Sequence, residues 1–145
     1  MSDWLYEPRP NIKTTVNNAQ IKFKDLDCDY NLYSKHNKLL IENRSAINNH
    51  IKNLLSTPKG TEEFEPDYGS DLPYRIMDTI SVSTAFSIET DILLAITVWM
   101  RDRLYVVMSE SYVKPLFSVD AYLINLVYVD LVYNDLGVFK TQVYK

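Results

Sequence analysis

One cysteine, Cys28, stands in the whole chain, so neither an intramolecular disulfide nor a thiolate-rich metal site can form. Nothing in that usage argues for an oxidising compartment. Glycine is nearly as scarce, at three residues, and proline numbers six, so the places where they fall say much about the backbone path. Concentrated positive charge is missing as well. A formal net charge of −4 offers no electrostatic footprint for nucleic acid. The N-terminus, Met-Ser-Asp-Trp-Leu-Tyr-Glu-Pro-Arg-Pro, lacks the basic start and apolar core of a signal peptide. The longest apolar run, residues 92–100 with Thr97 inside it, is far short of the ~20 residues a membrane helix needs. The expectation is a soluble protein made in the cytoplasm, bound to neither nucleic acid nor membrane.

What is present is ordinary in bulk and unusual in one respect. At 145 residues, 46% hydrophobic and 23% charged, the chain is most simply one domain able to bury a real core. The anomaly is aromatic, with eleven tyrosines and two tryptophans. Tyrosine combines contact area with a polar tip and is enriched at interfaces, and it is also a good strand residue.

Residues 1–34 show no sustained period. Pro8 and Pro10 break any early helix, and Asn17, Asn18, Asp25, Asp27 and Asp29 punctuate the rest. Trp4, Leu5, Tyr6, Ile12, Val16, Ile21, Phe23 and Leu26 are too apolar for a plain disordered tail. An extended arm over 1–34 and a single domain over 35–145 follow. In the domain, Ile47, Ile51, Leu54 and Leu55 mark one face of a helix over 43–56, with Asn43 as N-cap and Pro58 forcing its end. Asn48 and Asn49 fall on its solvent side. After a Gly/Pro-rich segment, a short turn over 73–78 precedes a helix over 83–100. Ala85, Ile88, Ile92, Ala95, Ile96 and Trp99 form its core stripe, and Ser83 or Thr84 can cap it. Leu93, Leu94 and Val98 broaden that stripe, so the helix reads as well buried.

From Leu104 the texture is β. Strands are expected over 104–113, within 117–133 and over 138–144, with Lys114–Pro115 interrupting pairing and residues 134–137 as a turn. Helices first and strands last make an α+β domain, with the arm and helices on one face of a small, mainly antiparallel three-stranded sheet. The long strand is apolar on both sides, with Tyr122, Ile124, Leu126 and Tyr128 on one and Leu123, Val127, Val129 and Leu131 on the other. Helices cover only one face, so the other face, or an edge, needs a covering from the N-terminal arm or from another subunit. Tyr122, Ile124, Leu126 and Tyr128 are the residues assigned to a partner.

The chemistry-bearing groups are few. Glu62, Glu63, Glu65, Asp67 and Asp71 cluster near Tyr68. A glycosidase needs two carboxylates roughly 5–10 Å apart, one with its pKa raised in an apolar pocket. Five acids in a glycine-containing loop read instead as solvated, and they lack the order of a calcium loop. His50 has no second ligand to complete a metal set, and Lys59-Gly60-Thr61 lacks phosphate-loop spacing. No catalytic residue, metal or cofactor is expected.

The densest signal is the segment 57–72, Thr-Pro-Lys-Gly-Thr-Glu-Glu-Phe-Glu-Pro-Asp-Tyr-Gly-Ser-Asp-Leu, which holds two of the three glycines. Thr57-Pro58-Lys59-Gly60 followed by Phe64-x-Pro66-x-Tyr68-Gly69-x-x-Leu72, set between two helices, resembles the small wedge protein of contractile phage tail baseplates. TssE of type VI secretion belongs to that family. The rhythm of residues 43–55 resembles the family's first helix, and the likeness extends over about 24–136. Where the family carries Glu-Pro-Arg and an aliphatic residue, this chain has Arg101-Asp102-Arg103-Leu104, keeping the arginine and the aliphatic residue but neither Glu nor Pro.

The resemblance implies a structural role in the virion tail baseplate. It implies larger wedge proteins and the tail sheath protein as partners, in a sixfold assembly around the tail tube, with a sheet offered to the first sheath ring. Arg103 is carried over as a partner contact beside Tyr122, Ile124, Leu126 and Tyr128. Gly60, Phe64, Pro66, Gly69 and Leu72 form the structural motif, with Phe64 and Leu72 expected to plug the core. The alternative is a cell-wall glycosidase using the acidic residues 62–71.

Overall fold

The computed structural model describes residues 24–26 and 40–145. Two three-residue strands, β1 (Lys24–Leu26) and β2 (Leu40–Glu42), pair antiparallel. Helices α1 (Arg44–Ser56), α2 (Leu72–Arg75) and α3 (Val82–Trp99) follow. Strands β3 (Leu104–Val106), β4 (Tyr112–Leu116), β5 (Ala121–Asp130) and β6 (Asp135–Tyr144) complete the chain. The α+β class holds. Most of the expected arm, the start of the expected domain at residue 35, and Cys28 lie outside the described residues. Within the arm, β1 is tied to α1: Asn49 Nδ2 donates to Asp25 Oδ2 at 2.8 Å and to the Leu26 carbonyl at 2.9 Å. Asn49 is therefore not the idle surface position expected from its place on the helix.

The α1 stripe behaves as its spacing dictates, burying Ile47, Ile51, Leu54 and Leu55. Asn43 occupies the N-cap position but makes no side-chain cap bond. Its φ of 56° comes with a ψ of −124°, a turn conformation outside the left-handed helical well. In α3 the cap is Ser81, earlier than expected, whose Oγ accepts the Thr84 N–H at 3.0 Å. The α3 core stripe of Ala85, Ile88, Ile92, Ala95 and Ile96 is buried against the sheet. The expected broadening holds only at Leu93, which packs partly buried against the core, while Leu94 and Val98 stand exposed with Val82 and Phe86 on the far side. At 18 residues and mean hydropathy 1.4, α3 has the length and composition of a membrane span. A core helix passes the same test, and α3 carries Glu89 and Asp91 at mid-length.

β5 is the central strand. β6 pairs with its entire length on one side, while β3 and β4 share the other, all antiparallel. The single strand expected over 104–113 is divided because the chain turns between β3 and β4, where the Glu110 N–H donates to the Val107 carbonyl at 3.2 Å. There the buried Ser111 hydroxyl accepts the Val127 N–H at 3.0 Å in place of a backbone partner. Pro115 does not interrupt pairing. It sits within β4 opposite Tyr122, on an edge strand where a missing N–H need not cost a ladder bond.

The expected turn over 134–137 also shifts. Asn134, at φ 52°, closes the hairpin and β6 begins at Asp135, so Gly137 lies inside the strand. An added Cβ at Gly137 would meet the Tyr128 ring at 2.4–2.7 Å, so the glycine serves a close approach rather than a turn.

Candidate interaction surface

Strand alternation sends one side of the sheet into the helices and leaves the other outside. Tyr122, Ile124, Leu126 and Tyr128 all point inward, none more than 1% exposed. They form the core with Ile51, Ile88, Ile92 and Ile96. The expectation that these four meet a partner is corrected: the domain's own helices have taken that face. Tyr122 and Tyr128 satisfy their hydroxyls internally. Tyr122 Oη accepts the Ser81 N–H at 3.4 Å, and Tyr128 donates to Asn48 Oδ1 at 2.7 Å. Asn48 is thus a structural partner, not a neutral surface site.

Burial pushes the Tyr128 phenol up from 10.0 to about 12, the largest influence being loss of water, with Asp130 and Asp135 adding to it and Arg44 and Arg103 opposing. A phenol favoured in its neutral form by folding contributes stability that is intact below pH 10 and lost as pH rises toward 12. Tyr128→Phe should remove that component. Urea unfolding midpoints across pH 9–12 should fall more steeply in the parent protein than in the variant, and parallel profiles would contradict the assignment.

The outward face carries the opposite set. Register places Tyr105 beside Val129 and Leu136, Val127 beside Val138, and Ala121 beside Tyr144. Tyr105, Leu136, Val138 and Tyr144 are 63%, 53%, 47% and 60% exposed. Lys114 lies over the Tyr112 ring at 5.1 Å, on the same side of β4. These are the residues that sequence reasoning missed. One signal could have found them. Asn125 is the only polar residue between Ala121 and Val129, and it belongs to the outward set.

The segment between α1 and α2 is a closed loop. Its ends meet in a Pro58–Ser70 bridge, with Ser70 N–H on the Thr57 carbonyl at 2.9 Å and Gly60 N–H on the Pro66 carbonyl at 2.7 Å. Buried Ser70 donates its hydroxyl to the Leu55 carbonyl at 2.9 Å, fastening the loop to the end of α1. Gly60 and Gly69 both have positive φ, 86° and 110°. Leu72 enters the core as expected, but Phe64 is 94% exposed and plugs nothing. Tyr68 is the aromatic anchor instead. Its ring meets Trp99 edge-on at 5.1 Å, and burial, reinforced by Glu62 and Glu65, raises its pKa. Glu62, Glu63, Glu65 and Asp67 are exposed, while Asp71 pairs with Lys59 at 3.0 Å.

Arg103 sits at the junction of α3 and β3. Its Nη2 lies 3.4 Å from Oδ2 of Asp130, whose side chain is 8% exposed. Asp130 Oδ1 also accepts the Val132 N–H at 2.9 Å, so the carboxylate braces the hairpin start. Among the described residues, no cluster of histidine, cysteine or acidic side chains is arranged to hold a metal.

This architecture is shared with a crystal structure from Geobacter sulfurreducens, provisionally named a tail lysozyme. The TM-score is 0.61 at 22% identity, over 69% of this chain and 88% of that one. The likeness is one of fold. The post-contraction baseplate of pyocin R2 contains a chain that matches at TM-score 0.45 and 17% identity, over 77% of this chain and 95% of that one. No family model matches the sequence, and no curated protein does.

Proposed function

We propose that this protein is a non-catalytic wedge subunit of a contractile-tail baseplate. In this reading it binds the core bundle of the larger wedge proteins and offers its sheet to the first ring of tail sheath, in sixfold arrangement around the tube. The observation that carries the reading is the outward sheet face, where Tyr105, Leu136, Val138 and Tyr144 line an apolar surface on a rigid platform. The segment 57–72 and the shared fold of a protein named for the tail support it. Tagged protein should copurify with tail proteins and lie at the tail end nearest the first sheath ring. Its absence from purified tails would overturn the proposal.

The glycosidase alternative draws on the name given to the Geobacter protein. Against it, Glu62, Glu63, Glu65 and Asp67 stand in water, whereas a general acid needs an apolar pocket to raise its pKa. Clearing of peptidoglycan in a zymogram, lost in Glu63→Gln/Glu65→Gln, would establish it.

Arg103 is proposed as a contact to the wedge partners, and its pairing with Asp130 means that Arg103→Ala acts twice. Leaving Asp130 buried without its guanidinium should cost about 2–3 kcal/mol, while the chain still folds. Asp130→Asn in the same chain should return much of that stability without returning assembly. Normal incorporation of Arg103→Ala into contracting tails would refute the partner role.

A further inference from the structure

The side of α3 turned away from the sheet is one continuous uncharged surface. Val82, Phe86, Thr90, Leu94 and Val98 recur every fourth residue and form a single ridge along the helix, opposite the buried stripe. Val82 and Phe86 are each 71% exposed, Leu94 55% and Val98 56%. The two charged residues of α3, Glu89 and Asp91, stand at its margins, about 100° to either side of Thr90. Asp91 is paired there with Arg75, Nε to Oδ2 at 2.9 Å. Hydroxyls within the surface are already bonded to the helix itself. Ser87 donates to the Ser83 carbonyl at 3.2 Å and Thr90 to the Phe86 carbonyl at 3.0 Å. Covering them therefore orphans no donor.

We infer that this ridge pairs antiparallel with the same ridge of a second copy of the chain, about a two-fold axis at Thr90. The sequence of α3 is nearly symmetric about that residue. The axis brings Phe86 of one copy level with Leu94 of the other, and Val82 level with Val98, on opposite sides of the seam. The side chains then interdigitate, and Thr90, the smallest of the ridge, meets its own equivalent at the axis. Charge selects the occupant. A helix with charges on its docking face would lose their hydration against a surface that offers no counter-charge, whereas the ridge of a second copy has none to lose. At the margins Arg75 neutralises Asp91. The two Glu89 carboxylates lie about 10 Å apart across packed helices, beyond the Debye length of about 8 Å. Residues 82–98 span about 24 Å at 1.5 Å per residue. Two such faces bury on the order of 1,000 Å² in total, the lower end of specific interfaces, so the expected Kd is in the tens of micromolar, roughly.

The ridge lies on α3 and not on the outward sheet face, so this inference and the baseplate reading can fail separately. Sedimentation equilibrium of the full chain, from about 1 to 200 μM, should show a monomer–dimer equilibrium. Phe86→Glu places a carboxylate in the seam and should weaken dimerisation at least about thirtyfold. Because Phe86 is exposed, the same change should move the melting temperature by only a few degrees. Cross-linking in a Cys28→Ser background reads the register. Thr90→Cys should form a disulfide-linked dimer, whereas Ser83→Cys, about 21 Å from its equivalent in the antiparallel pair, should not. A monomeric parent overturns the inference, as does a dimer indifferent to Phe86→Glu. Failure of Thr90→Cys to link, or ready linking of Ser83→Cys, overturns it too. A monomer that Phe86→Glu strongly destabilises would make residues 1–23 the cover of the ridge, and a monomer that binds phosphatidylcholine vesicles through Phe86 would make it a bilayer. Either result excludes the second copy.

Discussion

Ile124→Lys should leave the protein without a cooperative unfolding transition at 25 °C. Ile124 is fully buried at the centre of β5, opposite Val113 and Thr141, and belongs to the core shared with α3. A lysine there either buries an ammonium without a partner or deprotonates it, and each course costs several kcal/mol. That is comparable with the roughly 5–15 kcal/mol by which a whole domain is stable. Val138→Lys is the matched contrast. Val138 is three places along β6 from the position that faces Ile124, and it points to the outward face at 47% exposure. Its replacement should move the melting temperature by only a few degrees, as exposed substitutions do. Circular dichroism melts of both variants decide the matter. A well-folded Ile124→Lys, or an unfolded Val138→Lys, would show that the two faces of the sheet have been interchanged. On the proposed function, Val138→Lys should fold and still fail to enter baseplates.

Gly69→Ala should be the most damaging single methyl addition in the loop. An alanine Cβ would lie 2.3 Å from the Thr57 carbonyl oxygen and 3.2 Å from the Pro58 carbonyl carbon, both backbone atoms that cannot swing aside. The φ of 110° adds strain of its own. Together these should cost about 3–5 kcal/mol and lower the melting temperature by roughly 10–15 °C. Gly60 isolates the conformational part, because its φ is 86° but nothing lies within 4 Å of an added Cβ. Gly60→Ala should cost only about 1–2 kcal/mol. A Gly69→Ala protein as stable as Gly60→Ala would mean that the Pro58–Ser70 bridge is not closed in solution.

Local signals determined much of this protein. The i, i+4, i+7 spacing of Ile47, Ile51, Leu54 and Leu55 sufficed for α1, because a helix shows its buried side through its own period. Glycine scarcity marked Gly60 and Gly69 as special, and both have positive φ, because that conformation is a property of the residue itself. The alternation of β5 likewise separated its two side-chain sets correctly. Which set faced the helices was not local. Both sets are apolar, so the choice depended on α1 and α3, whose stripes have no way of naming a strand face.

The same limit explains the other differences. Phe64 looked like an anchor by composition, yet Tyr68 filled the place beside Trp99, since only folding decides which aromatic a loop turns inward. Gly137 looked like a turn until the Tyr128 ring required its missing Cβ. The groove of about 330 Å³ between α1, α2 and β6 is legible in no segment, because Phe139 on β6 closes it from 63 residues beyond Ile76. Residue type and short-range period determined the elements and the conformation of the loop. The tertiary structure alone decided which surfaces remained outside, because exposure depends on what the rest of the chain happens to cover.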